Sequence, residues 1–315
     1  MARASQFGRR LSLSCLLVGL ATVLAPNPSR AQADEPACQE IEQQYKVERD
    51  GQQLNPRTLS FLLFDAAEGG CTALVEQFLG EGASVKARNR IGNTALIIAA
   101  RMGRADTVDL LLARGSDINY PNLNGVTPLQ AAATRDRVAI VKTLLTAGAD
   151  PTIADNRGVT PLIAAAYEGN MDTAKLLLDA GVDTQTVDET GKGALVYAAG
   201  HGSAPLVALL LDTGLDINRR YGNDLTALMW AAGHSDDVEP PDGVDTVELL
   251  LSKGAQTNLA DNRGRTALMI AAERGHAEIV KLLLAAGVDK SLRDKDGKTA
   301  LDLASGEAVT LALAP

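Results

Sequence analysis

The sequence predicts an all-α repeat solenoid, built of stacked helix–turn–helix units joined by short β-turn loops. Three observations lead there. A motif recurs at Thr94, Thr127, Thr160, Gly193, Thr226, Thr266 and Thr299, in steps of 33, 33, 33, 33, 40 and 33 residues. A fixed period of this length marks units that bury their apolar faces only by stacking. The chain is rich in Ala, Leu and Gly but holds one Trp, five Tyr and four Phe, so its core must be aliphatic. Strand-forming residues are scarce, which argues against an all-β fold.

The first 33 residues stand apart. Arg3, Arg9 and Arg10 precede the apolar run Leu11–Ala25, and Ala31-Gln32-Ala33 comes just before an abrupt acidic change at Asp34. A basic start, a short apolar core and an A-x-A ending mark a secretory signal peptide, with cleavage expected after Ala33. The rival is a membrane anchor, but spanning takes about 20 apolar residues and this run is shorter. Ser12 stands where a twin-arginine signal wants a hydrophobic residue, so the general route is expected. Ser12-Leu13-Ser14 before Cys15 is a poor match to a lipoprotein signal. The expected location is the periplasm, with release from the cell as the alternative.

Cleavage would change the electrostatics. The whole chain has a net charge of −9, whereas beyond residue 33 only 26 basic residues meet 39 acids, a net charge of −13. So acidic a chain suits neither nucleic acid nor anionic membranes. Cys38 and Cys71 are the cysteines beyond Ala33. An even pair in an oxidising compartment predicts a disulfide, the alternative being two buried free thiols.

Each unit reads as two short helices and a turn. The marker Thr caps the first helix by accepting from free N–H groups two or three residues on. Pro128 and Pro161 follow at the first helical position, where a missing N–H costs nothing. An Ala-Ala pair allows close helix approach, and a Gly ends the helix where positive φ is useful. A leucine run forms the buried stripe of the second helix. Gly-Ala/Val-Asp stops it, and Asp-Asn-x-Gly makes a tight turn.

These residues closely resemble the ankyrin repeat, G-x-T-P-L-x-x-A-A-x-x-G…V-x-L-L-L-x-x-G-A-D. The resemblance implies an array over residues 57–315, about seven units and a truncated last one, behind a capping segment at 34–56. Phe61 aligns with the marker in a degenerate first unit, and Cys71 falls at the start of its second helix. One departure is consistent. The family's usual His after T-P-L is replaced by Ile97, Gln130, Ile163, Val196, Met229, Met269 and Asp302. Apolar packing is expected to replace most of the hydrogen bonds those histidines would make.

The resemblance also implies a non-enzymatic scaffold, a monomer without cofactor, that binds a protein on its concave face. The residues after each Ala-Ala pair would line that face: Arg101, Met102, Arg135, Tyr167, Glu168, His201, His234 and Arg274 among them. The turn tips would add Arg90, Ile91, Arg157, Arg263 and Arg265. This face is mixed to basic on an acidic chain. Tyr197 and Trp230, just before Ala-Ala, are expected in the core. His276 is expected to be structural.

The long step places an insertion at 235–243, in the loop joining the two helices of one unit. It reads as a solvated acidic loop, a partner contact, or a calcium site using Asp236, Asp237, Glu239 and Asp242. His201 and His234 with Asp236 or Asp237 would be the only zinc candidates. No nucleophile–base arrangement, G-x-S-x-G elbow or phosphate-binding loop is readable.

Overall fold

The computed structural model describes residues 35–233 and 240–314. The signal-peptide reading of 1–33 lies outside the described residues, as do His234, Asp236, Asp237 and Glu239. Among the described residues there are seventeen α-helices and no strand. Helix α1 (Glu35–Asp50) is followed by α2 (Pro56–Gly69) with α3 (Thr72–Gly80), α4 (Ala95–Met102) with α5 (Ala105–Ala113), and α6 (Pro128–Thr134) with α7 (Val138–Thr146). Next come α8 (Pro161–Tyr167) with α9 (Met171–Asp179), α10 (Ala194–Gly200) with α11 (Ala204–Leu211), and α12 (Ala227–Ala232) with α13 (Pro240–Ser252). The array closes with α14 (Ala267–Arg274), α15 (Ala277–Ala285), α16 (Ala300–Leu303) and α17 (Glu307–Leu313). First helices of successive pairs stack on one another, and second helices form a second row. The fold is an all-α repeat solenoid.

Local chemistry starts each pair. Thr94, Thr127, Thr160, Thr226, Thr266 and Thr299 sit in extended backbone and accept from the N–H three residues on. Such a cap contributes about 1 kcal/mol. Gly193 takes the same place without a side-chain bond. The core is two leucine stripes. Leu96, Leu129, Leu162, Leu195, Leu228 and Leu268 are buried in the first row, and Leu111, Leu144, Leu177, Leu210, Leu250 and Leu283 in the second.

The turns are folded by their own side chains. Asn89, Asn122, Asp155, Asp188, Asp261 and Asp294 each accept from the N–H groups two and four residues on. Tyr221 holds this place before α12, where the chain turns through Asn223 and Asp224 at φ 64° and 61°. Backbone bonds then join neighbouring turns. The N–H groups of Leu123, Asn156, Glu189, Gly222, Asn262 and Lys295 donate to the carbonyls of Ile91, Asn124, Arg157, Gly191, Asn223 and Arg263 at 2.9–3.2 Å. At the histidine position Ile97, Ile163, Val196, Met229 and Met269 are buried, in line with the expected apolar packing, and the backbone bonds add to it. The turns present amide and carbonyl to one another whatever side chain follows the cap. Gln130 Nε2 adds a bond of 3.0 Å to the Val159 carbonyl.

A third set of bonds links the helix ends. Arg104 Nε donates to the Glu68 carbonyl at 2.9 Å, Arg137 Nε to that of Arg101 at 3.1 Å, and Asn170 Nδ2 to that of Ala133 at 2.8 Å. His276 Nδ1 reaches the Ala232 carbonyl at 2.9 Å, which is its structural role.

Helix α1 packs on α2, with Ile41 and Tyr45 buried. The Tyr45 ring lies 5.3 Å from that of Phe78, and its hydroxyl donates to Glu81 at 2.7 Å. A disulfide joins Cys38 on α1 to Cys71 at the start of α3, with 5.5 Å between their Cα atoms.

The long step is only partly a loop. Helix α13 has 13 residues where α5, α7, α9 and α15 have nine, so the end of the insertion forms its first turn. This corrects the reading of 235–243 as purely connecting loop. Prolines in a first turn sacrifice no hydrogen bond, and Asp242 there suits the positive end of the helix. Deleting 236–242 restores the 33-residue step and leaves a helix that starts at Val244, matching Ala204 in α11. The shortened chain should fold and lose about one helical turn, read by circular dichroism. Loss of the cooperative transition would show that the insertion is structural.

One buried position explains itself by its neighbours. Thr107, Thr173 and Thr246 occupy the same place in three second helices and are fully buried. Thr107 shares a 2.9 Å bond with Thr72 Oγ1, and Thr173 donates to Asp136 at 2.7 Å. Before Thr246 the corresponding residues are Ala204 and Gly202, and its hydroxyl has no partner among the described residues. Thr246→Val should therefore stabilise the chain by about 1 kcal/mol, since it removes a buried unpaired hydroxyl at constant shape. A urea midpoint unchanged or lowered would contradict this.

A candidate binding face

The residues beyond each cap decide which side of the first row stays open. The position four residues after the cap looks onto a groove that crosses α4, α6, α8 and α10. Ala131 and Ala164 occupy it in α6 and α8, and their small side chains leave room. The groove encloses about 590 Å³. Arg101 and Arg135 border one end and Tyr197 the other, with Tyr167 between them at the end of α8, and the turn tips Ile91 and Arg157 form a rim.

The two arginines are held differently. Arg101 is half-buried, and its Nε is buried without a hydrogen-bond partner among the described residues. Arg135 is exposed. Among the described residues, no carboxylate is paired with either one. The aromatic end is built from side chains that support one another. Tyr167 is 59% exposed, and its ring meets Tyr197 edge-on at 5.3 Å and 75°. The Tyr197 hydroxyl donates to Asp188 Oδ2, and the Lys192 ammonium lies over both Tyr197, at 5.6 Å, and Trp230, at 4.9 Å.

Two titrations follow. Burial, then the hydrogen bond to Asp188, pushes Tyr197 up to about 12. Burial opposes ionisation of Asp188 too, but donation from Tyr197, Thr190 and the Lys192 N–H outweighs it and holds the carboxyl below its usual range. A phenol whose pKa is raised on folding stabilises the fold fully below its unfolded value near 10. That contribution is lost as pH rises from about 10 to about 12. Ultraviolet titration should show one tyrosine ionising near 12 in the native chain, absent from Tyr197→Phe. A native curve unchanged by that substitution would refute the assignment.

Tyr197 and Trp230 are partly buried and packed against the core, as expected. Tyr197 also borders the groove, whereas Trp230 lies outside its lining.

The other expected contact residues are scattered. Glu168 is exposed and lines the groove beside Tyr167. Met102 is half-buried and lies outside the groove lining. The exposed His201 ring rests on Gly169 of the preceding pair, where a Cβ would stand 2.6 Å from its Nε2. Arg263 is tied to Asp261 at 3.4 Å. Arg265 is 12% exposed in its side chain, paired with Glu273 and 3.7 Å from Asp294. It therefore acts as a buried strut, against the expectation of a contact residue. Arg274 is exposed at the end of α14, away from the groove. His234 lies outside the described residues, and with it the zinc and calcium readings. Among the described residues no group of three or more His, Cys, Asp or Glu is placed to hold a metal. None of the described helices is long and apolar enough to cross a membrane.

Stacked helix pairs, stitched turns and an open groove along the first row define an α-helical repeat scaffold. The family model for ankyrin repeats (3 copies) matches residues 63–155, 162–240 and 241–313, and the chain belongs to the ankyrin-repeat family. Human and mouse ankyrin repeat domain-containing protein 63 are each 62% identical over 34 residues, 11% of this chain. That match spans only 9% of those curated relatives. The ankyrin repeat domain of human ASB11 is similar with a TM-score of 0.62 and 27% identity, over 71% of this chain and 99% of that one. The ankyrin repeat domain of Bcl-3, a unique member of the IkappaB protein family, gives 0.58 and 28%, over 70% of this chain and 98% of that one. Ankyrin repeats generally serve as protein–protein interaction scaffolds.

Proposed function

We propose that this chain is an exported, non-enzymatic scaffold of the periplasm that captures another protein in the groove crossing α4 to α10. The groove carries the reading. It joins an exposed, braced tyrosine to two arginines that no carboxylate pairs among the described residues, residue types enriched at protein interfaces. On a chain with net charge −13 beyond residue 33, such a patch is set apart from the rest of the surface. Export is supported by the basic and apolar N-terminal segment and by the Cys38–Cys71 bond, which suits an oxidising compartment.

Photo-crosslinking in intact cells tests both parts. A photoreactive amino acid at Tyr167 should give an adduct with a second protein in the osmotic-shock fraction, from a chain beginning at Asp34. The same group at Lys175, exposed on α9, should not. Equal crosslinking from both positions would sink the groove reading. An uncleaved chain in the cytoplasm would sink the periplasmic one, and mature chain in the medium would favour release from the cell.

A further inference from the structure

The groove has a charge order. At its α4–α6 end stand Arg101 and Arg135, neither paired with a carboxylate among the described residues. A chain this rich in acids had many ways to neutralise them. A buried donor without a partner is a cost that a bound carboxylate removes, and guanidinium–carboxylate pairing is strong and directional. At the α8–α10 end the lining turns acidic, with Glu168, Asp188 and Glu189. Between these ends Tyr167 offers an exposed ring that Tyr197 holds in place. The rim continues the asymmetry. Ile91 is exposed at the basic end, while the guanidinium of Arg157 is already tied to Asp155 at 3.3 Å.

We infer that the groove takes an extended segment of a partner protein whose side chains run in the order acidic, apolar, basic. This rests on the binding role proposed above and specifies its ligand. A carboxylate meets Arg101 and Arg135, a ring or branched aliphatic side chain packs on Tyr167, and a cation faces Glu168 and Glu189. The spacing follows from the stack. Packed helices lie about 8–10 Å apart, and an extended chain advances about 3.3 Å per residue. One unit therefore corresponds to about three residues. The acid and the base should stand about three to six residues apart, with the apolar residue between them. A long polyanion such as nucleic acid fits the basic end but meets three carboxylates at the other.

Selection from random 12-residue peptides displayed on phage tests the order without presupposing it. The target is the disulfide-bonded chain beginning at Asp34, with Arg101→Gln/Arg135→Gln, Arg135→Gln alone and Tyr167→Ala as counter-targets. Arg135 and Tyr167 are exposed, so their single variants stay informative even if Arg101→Gln unfolds the chain. Enriched peptides should share the acidic–apolar–basic order. A synthetic consensus 12-mer followed by fluorescence anisotropy should bind about tenfold more weakly to Arg135→Gln and to Tyr167→Ala. It should also weaken with added salt. Peptides that need Tyr167 but lack the acid, or carry the charges reversed, would overturn the inference and leave the groove as the binding face. Peptides insensitive to every groove substitution, or no enrichment at all, would overturn both.

Discussion

Leu210→Ala should destabilise the array by about 2–5 kcal/mol and loosen the helix pairs on both sides of it. Leu210 is the middle leucine of α11 and has no exposed surface. Helix α11 packs on α10 within its own pair and on α9 and α13 across it. Truncation therefore opens a cavity that two interfaces share. Stability in a linear array is a sum of unit terms and nearest-neighbour terms, so the neighbours must feel the loss. Urea denaturation should show the lower midpoint, and hydrogen exchange should rise in α9 and α13 as well as α11. Exchange confined to α11 would argue that the pairs do not support one another.

Replacing Cys38 and Cys71 with serine should cost about 3–4 kcal/mol on the chain-entropy account of a closed loop of this length. The two residues are 33 apart, and the loop they close contains α2 with its buried Leu62, Leu63 and Phe64. Without the bond, α1 is held by Ile41, by Tyr45 against Phe78, and by the Tyr45–Glu81 hydrogen bond. Exchange should therefore increase through α1 to α3 and fade beyond α5. Intact mass should differ by two protons between native and reduced protein. Two freely alkylated thiols in the unreduced native protein would end the idea.

The fold was legible because its signals are local and repeated. A Thr that caps, a Gly that permits positive φ and a central leucine are each read from a few residues, and seven copies with five of six steps at 33 residues leave little ambiguity. What escaped depends on neighbours distant in sequence. Tyr197 follows helical spacing, which places it against the core but does not show that its ring also borders a groove. Arg265 reads as a surface residue until Asp294, 29 positions on, comes beside it. Pro240-Pro241 reads as loop, because prolines that break a helix interior are the same residues that open a first turn. The turn-to-turn bonds carry no side-chain signature at all.

Those turn-to-turn bonds bear on how such a chain acquires new partners. Pitch along the row of tips is set by amide and carbonyl groups, which every residue except proline supplies in full. The exposed side chains at Ile91, Asn124 and Arg157 are thus free to drift while the ruler beneath them keeps its graduations. Selection can rewrite what the rim says, one substitution at a time, without first having to rebuild the line on which it is written.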